Sequence, residues 1–373
     1  MNKIAYISMQ ATRNGYASYA HVHEIICGLE KRGWEIELFT PRYSVETMQP
    51  PGAFGRFLSF YNLNKKIIQN LKHFNLIYIR SHFAAFPISL CAHLMNIKVI
   101  QEVNGLPEDL FIAWPWTRRF SKLFRWLSLK QYIWSDACIT VTPKLKEWLE
   151  SIVKNGKVYF IPNAANTILF NPQAQTNRSL PKKYVVFFGA MAEWQGIDTI
   201  LEAIKSDLWP SDLHFVAMGD GPKRQLIEEL QKTEPKIQYL GIIPYSEVPG
   251  IITGSLAGLS PQNNHSGRSD SGLYPLKVFE TLACGVPVIV TDFPGQADLI
   301  REFKCGIVIN HDNSQELITA ILRIYDDPEE AKKMGIRGRA AVDKEYSWDN
   351  AAEVTNKIIK DILINTSTNN GSS

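Results

Sequence analysis

The chain is poor in several features that would narrow its class at once. It has five cysteines, at 27, 91, 138, 284 and 305, with no C-x-x-C among them. Scattered thiols exclude a disulfide framework and imply reduced, mostly buried side chains in the cytosol. No apolar run reaches the length of a membrane span. No signal peptide opens the chain, because Ile4–Ser8 is too short and reads as a strand. Charge of one sign is not in excess: 40 Lys and Arg face 37 Asp and Glu, a net of +3. With a pI near 8.4, that balance does not argue for nucleic acid. The dinucleotide fingerprint G-x-G-x-x-G is missing from the first strand–helix turn, and no tandem repeat of solenoid length is present. What remains is an ordinary soluble composition, 45% hydrophobic and 21% charged, over 373 residues. That length implies two domains.

One stretch organises the rest. Tyr274–Asp292 reads Y-P-L-K-V-F-E-T-L-A-C-G-V-P-V-I-V-T-D. Pro275 suits the first turn of a helix, which runs to about Cys284; Gly285 fits a left-handed C-cap and Pro287 a stop. Val288–Val290 is a β-branched run that reads as a buried strand. Val278 with Leu282, and Phe279 with Ala283, form i,i+4 apolar pairs, while Lys277 and Glu280 share one face. The free N–H groups at such a helix start, with Lys277 beside them, suit a phosphate, and Glu280 one turn on suits vicinal hydroxyls. Together they fit the ribose diphosphate of a nucleotide. The spacing alone fits an i,i+3 surface ion pair on an ordinary amphipathic helix better.

Elsewhere strands and helices alternate, which makes the fold α/β. Lys3–Ser8, Trp34–Thr40, Leu76–Arg80, Lys98–Val103, Tyr184–Gly189, Leu213–Met218, Ile237–Gly241, Leu256–Pro261 and Gly306–Asn310 read as strands. Helices are expected over Ala17–Lys31, Phe57–Lys72, Pro87–Met95 and Gln315–Tyr325. His21 and His23, two apart on a helix, face different ways and are not metal ligands. The fourth strand ends in E-V-N-G, and ends of parallel strands are where α/β sheets place ligands. Glu102 and Asn104 are therefore candidate site residues. Asn104 hydrogen-bonds a hydroxyl but cannot act as a base; the alternative is that Glu102 pairs with a nearby Arg and Asn104 starts a turn. Trp114–Trp134 sets Arg118, Arg119, Lys122, Arg125 and Lys130 against Trp114, Trp116, Phe120, Phe124, Trp126 and Trp134. That mixture suits contact with an anionic bilayer interface, or a domain helix with its apolar face in the core. Asn365–Ser373 is a polar tail.

Several of these segments, in order, resemble the retaining glycosyltransferases of family 4, which have the GT-B fold of two Rossmann-like domains facing a central cleft. E-T-L-A-C-G-V-P-V-I is similar to the end of their E-x7-E signature and places the second Glu at Glu280. Position 272, where the first Glu belongs, is Gly, so the carboxylate that contacts the transferred sugar is missing. A P-L-K-x-F-E subgroup shares this departure. G-D-G-P at Gly219–Pro222, I-I-P at Ile242–Pro244 and I-P-N at Ile161–Asn163 match further family segments. Asn104 stands where the family often has His before Gly. Ala190 and Gln195 stand where it commonly has Arg and Lys, so Lys277, with Arg268 a weaker candidate, would carry the phosphate charge.

The resemblance implies an acceptor-side domain over 1–165, a linker over 166–183, a nucleotide-sugar domain over 184–346, and a helix over about 347–364 crossing back to the first. It implies a donor site of Gly15, Gly189, Gly219, Asp220, Ile243, Tyr274, Pro275, Leu276, Lys277 and Glu280, with Glu102, Asn104 and Lys277 as catalytic residues. Transfer would proceed with retention, without metal or cofactor. The donor would be a nucleotide sugar and the acceptor a lipid-linked saccharide or polysaccharide precursor, met at the inner face of the plasma membrane. The missing Glu and the two missing cations motivate an alternative, a partner subunit that binds the sugar nucleotide without catalysis. An epimerase of GT-B fold would need catalytic carboxylates and a histidine that have no place in the pattern.

Overall fold

A computed structural model describes residues 2–12, 17–44, 51–153, 157–264 and 268–369. Gly15 and part of the 262–272 loop lie outside the described residues. The chain divides into two compact units, one of residues 1–14, 18–162 and 349–373 and the other of 15–17 and 163–348.

In the first unit, β1 (Lys3–Ser8) leads through α1 (Ala17–Glu30) to β2 (Glu35–Phe39). Then come α2 (Ala53–Asn70), β3 (Leu76–Arg80), α3 (Phe86–Leu94), β4 (Lys98–Val103), α4 (Asp109–Ala113), α5 (Ser121–Trp134), β5 (Ala137–Thr140), α6 (Pro143–Ile152) and β6 (Lys157–Phe160). The strands form one six-stranded sheet in the order β2-β1-β3-β4-β5-β6, and every pairing is parallel. Helices cover both faces of such a sheet, so its central strands are buried throughout, as the continuous runs of Ile, Val and Tyr require. Strand order reverses between β1 and β3, which makes their carboxyl ends a switch point.

The second unit repeats the plan. β7 (Tyr184–Ala190), α7 (Ile197–Ile204), β8 (His214–Asp220), α8 (Arg224–Gln231), β9 (Ile237–Tyr239), α9 (Val248–Thr253), β10 (Ala257–Ser260), α10 (Leu276–Ala283), β11 (Val288–Thr291), α11 (Gln296–Phe303), β12 (Gly306–Ile309), α12 (Ser314–Asp326) and α13 (Pro328–Glu345) follow in order. Its six parallel strands run β12-β11-β10-β7-β8-β9, and the order reverses between β7 and β10. Both sheets with their helices make the GT-B fold.

The final helix, α14 (Trp348–Asn369), packs on α1 from residue 349 on. A Cβ on Gly28 would collide with Ala352, so only glycine lets α1 approach. Arg32 donates to Asp349 at 3.0 Å and to Glu353 at 2.7 Å, and the Trp34 indole donates to Asn356 at 2.8 Å.

Three expectations need correction. Pro275 is the N-cap of α10, extended at φ −68° and ψ 135°, and the helix begins at Leu276. Pro–X geometry is satisfied outside the helix as well as at its first turn. Helix α2 starts at Ala53, not Phe57, because Gly55 is carried inside it. Helix α14 extends through residues 365–369, assigned above to the polar tail, since adding turns to a packed helix costs little once it is nucleated. Helices α4, α7, α9, α11 and α13 were not anticipated. Gly285 does adopt the left-handed C-cap expected of it, at φ 72°.

Helix α13 reaches the end of α10 through a glycine: a Cβ on Gly335 would run into the Gly285 carbonyl oxygen. Gly335→Ala should destabilise the second unit by about 1–3 kcal/mol, read as a lower urea midpoint in circular dichroism. An unchanged midpoint would contradict this packing.

Candidate functional site

In the second unit the carboxyl ends of β7 and β8 meet through two glycines. Gly189 has φ 103° and Gly219 φ 127°, and a Cβ on Gly219 would overlap the Gly189 carbonyl. The Tyr239 hydroxyl donates to the Gly219 carbonyl at 2.7 Å. Asp220 turns back to accept from the Gly221 amide at 2.9 Å, so it shapes the turn. Ile243 is buried in the apolar cluster behind α10.

Helix α10 follows the switch point. Its N-cap, Pro275, provides no side-chain acceptor, so the opening amides keep the partial positive charge that favours an anion. The preceding turn is held rigidly. Asn163 Nδ2 donates to the Tyr274 carbonyl at 2.7 Å, Leu273 pairs with Gly295, and the Tyr274 ring stacks on Phe279 with centroids 6.1 Å apart.

Lys277 is only 9% exposed. Its Nζ donates to Gln195 Oε1 at 2.7 Å and lies 3.8 Å from the centre of the Phe187 ring. Burial pulls its pKa down to about 7, against a partly opposing pull from Glu280. Glu280, 6% exposed, accepts from the Tyr245 hydroxyl at 2.7 Å. The pair is therefore not a solvated i,i+3 ion pair, because both groups are buried and each has its own partner from another element. Gln195 was read above as a lost cation. It sits instead in a turn closed by Gly196 at φ 70° and supplies the acceptor that holds Lys277.

In the first unit Glu102 is the centre of a closed network. Register sets Arg80 directly beside it on β3, with Tyr6 and Tyr78 one pleat away. Glu102 Oε1 accepts from Arg80 at 2.8 Å and Asn104 Nδ2 at 2.7 Å, and lies 3.1 Å from His21 Nε2. Oε2 accepts from Tyr78 at 2.8 Å and Tyr6 at 3.1 Å. The two tyrosine rings stack, centroids 4.6 Å apart. Burial pushes the Glu102 carboxyl up, but the charge and hydrogen bond of His21, then Arg80 and Asn104, outweigh it and hold the group well below the usual range. Burial and the same carboxylate push both tyrosine hydroxyls well up, so they remain donors. Because a carboxylate only accepts, Asn104 must turn its NH2 inward, which leaves Oδ1 facing away.

Trp114–Trp134 begins as a 3-10 turn and continues as α5. Trp134 stacks on His93 at 5.3 Å and Tyr132 is buried, whereas Trp114, Trp116 and Trp126 are exposed.

The family model for glycosyl transferases group 1 matches residues 171–341, and that for glycosyltransferase family 4 matches residues 20–168. An uncharacterized glycosyltransferase of Methanocaldococcus jannaschii is 24% identical over 308 residues, 82% of this chain and 80% of that one. One component of the phosphatidylinositol N-acetylglucosaminyltransferase of Arabidopsis thaliana is 25% identical over 228 residues, 58% of this chain and 47% of that one. The chain thus spans about half the length of the latter. Sucrose-phosphate synthase of Thermosynechococcus elongatus has the same fold, with a TM-score of 0.78 at 18% identity over 98% of this chain and all of that one. So does the Anabaena protein HepE, solved with UDP-glucose, at a TM-score of 0.68 and 15% identity over 98% and 99% of the two chains. The chain belongs to family 4 of the retaining glycosyltransferases, which transfer a sugar from a nucleotide-sugar donor.

Removing the carboxylate at 102 would strand Arg80 and His21. Glu102→Ala should cost about 3–5 kcal/mol, measured by urea unfolding. The depressed pKa gives the sign of its pH effect: its contribution is complete above the unfolded value near 4 and is lost as pH falls below it. Glu102→Gln should therefore show a shallower loss of stability below about pH 4. Acid profiles that superimpose would contradict the ionised network.

Proposed function

We propose that this enzyme transfers a sugar from a nucleotide diphosphate donor to a lipid-linked saccharide or polysaccharide precursor, at the inner face of the plasma membrane and without a metal ion. The observation that carries the reading is Lys277, a buried ammonium held beside an uncapped helix N-terminus. The donor's diphosphate docks on the amides of Leu276 and Lys277, with Gly189 and Gly219 leaving room for it. Glu280, oriented by Tyr245, accepts from the ribose hydroxyls. As the bond from the anomeric carbon to the diphosphate oxygen breaks, charge gathers on the leaving phosphate, and the amides with Lys277 stabilise it. The new bond to the acceptor oxygen forms on the same face, and the acceptor's proton leaves with the departing phosphate.

Asn104 bonds a sugar hydroxyl through Oδ1. Glu102 serves by holding Asn104, since its lone pairs are already taken up inside the first unit. The P-L-K-x-F-E pattern supports placing the chain in the subgroup without the first Glu. The segment Trp114–Trp134 rests on lipid. The likeness to a component of a phosphatidylinositol glycosyltransferase supports a lipid-borne acceptor.

Turnover tests the reading against a partner subunit that only binds the donor. Acceptor-dependent release of nucleoside diphosphate is expected, and donor binding without release on a panel of lipid-linked acceptors would overturn it. Glu280→Ala should weaken donor binding about 10-fold or more, from loss of bonds to a charged group. Wild-type affinity in that variant would displace the ribose from Glu280.

The lowered pKa of Lys277 adds a pH signature. A diphosphate binds the ammonium form, so binding takes up a proton wherever the free protein has lost it. Affinity for UDP or GDP should be greatest below about pH 7 and fall as pH rises above it. Lys277→Met should bind more weakly and lose that slope in calorimetry, and a slope retained in the variant would exclude Lys277 as its source.

A further inference from the structure

Helix α2 carries two apolar stripes. One, with Leu63 and Ile67, is buried against the sheet. The other, Phe54, Phe57, Leu58 and Tyr61, follows the i, i+3, i+4, i+7 rule equally well but faces outward, with Phe54 79% and Phe57 66% exposed. An ordered aromatic stripe on the outside of a helix has a use beyond folding. It is joined to the start of the 114–134 segment, where the Arg56 guanidinium lies 4.6 Å over the Trp114 ring. From there the exposed apolar side chains continue through Trp116 (63% exposed), Leu123 and Trp126.

Charge follows the same two stretches. Residues 51–75 and 110–134 together hold nine of the 40 Lys and Arg and none of the 37 Asp and Glu. Among the described residues Arg118, Arg119 and Lys122 make no ion pair, and Arg125 reaches only Glu108 of α4, at 3.4 Å. Exposed rings interleaved with unpaired cations match a surface that is apolar beneath and anionic on top.

We propose that α2 and the 114–126 segment form one composite docking face for an anionic lipid bilayer. Phe54, Phe57, Trp116 and Trp126 enter the interface, and Arg118, Arg119 and Lys122 bind lipid phosphates. Lys65, on the outer stripe of α2 one turn beyond Tyr61, extends its ammonium to the headgroups. This extends the lipid contact assigned above to Trp114–Trp134 and rests on it. It adds a second element, whose outward stripe is unrelated to that segment's sequence.

Co-sedimentation of the full chain with vesicles tests it, using phosphatidylcholine alone and phosphatidylcholine with phosphatidylglycerol. Binding is expected only to the anionic vesicles and should weaken as salt rises. Phe54→Glu/Phe57→Glu and, separately, Arg118→Glu/Arg119→Glu should each lower it about tenfold or more; unchanged circular dichroism and UDP affinity would show both variants folded. If the arginine pair weakens binding and the α2 pair does not, the composite face is overturned while the lipid contact at 114–134 stands. If wild type binds neither vesicle, both fall. Equal binding to neutral and anionic vesicles overturns the role of charge, and tight binding to single-stranded RNA with none to vesicles reassigns the face to nucleic acid.

Discussion

The candidate site of the second unit turns on the burial of one lysine. A lysine side chain is ordinarily solvated, and removing it from water disfavours its charge. Here α10 carries Lys277 inward beside Phe187, and among the described residues Gln195 alone accepts a hydrogen bond from it. One neutral acceptor and a ring face compensate little of the lost hydration, which is why burial outweighs Glu280 and lowers the pKa. The group is left close to the pH at which a small change in potential decides its charge. An anion placed beside it would supply that change. Gln195 adds no second positive charge beside the first and holds Lys277 in place by accepting its hydrogen bond.

Glu102 shows the opposite electrostatic solution. It is equally remote from water, yet both its oxygens are taken up by donors and Arg80 neutralises it. Such a carboxylate is stable, ionised and poor as a base, since taking a proton would cost the whole network. A satisfied site positions its neighbours, while an unsatisfied one awaits a ligand. The contrast separates Glu102, which orients Asn104, from Lys277, which has capacity left to bind.

What could be read from the sequence was local. The C-cap at Gly285, the strand at Val288–Val290 and the E-V-N-G strand end all follow from neighbours a few residues apart, and the structure forms each of them. Contacts between distant segments were not legible. Gln195 lies 82 positions from Lys277, and Asn163 lies 111 from Tyr274; neither residue type signals its partner. Nothing in their local sequence marks Tyr6 and Tyr78, because only the register of β1, β3 and β4 turns their hydroxyls onto one carboxylate. Helix α2 was recognised but begun too late, because a Pro-Pro-Gly start and an internal Gly55 conceal a helix that packing sustains.

The outward stripe of α2 shows why periodicity alone does not assign a face. Apolar spacing at i, i+3, i+4 and i+7 says that a helix has a side to bury, not what buries it. α2 satisfies the rule twice, and its sheet can cover only the stripe of Leu63 and Ile67. Leaving the second stripe in water is unfavourable by the same hydrophobic term that stabilises the first. The absence of any acidic residue across both stretches points the same way. In a chain otherwise near charge balance, a soluble surface would mix both signs. Fold stability requires neither the outward rings nor the one-sided charge, so both are best explained by a surface outside the protein.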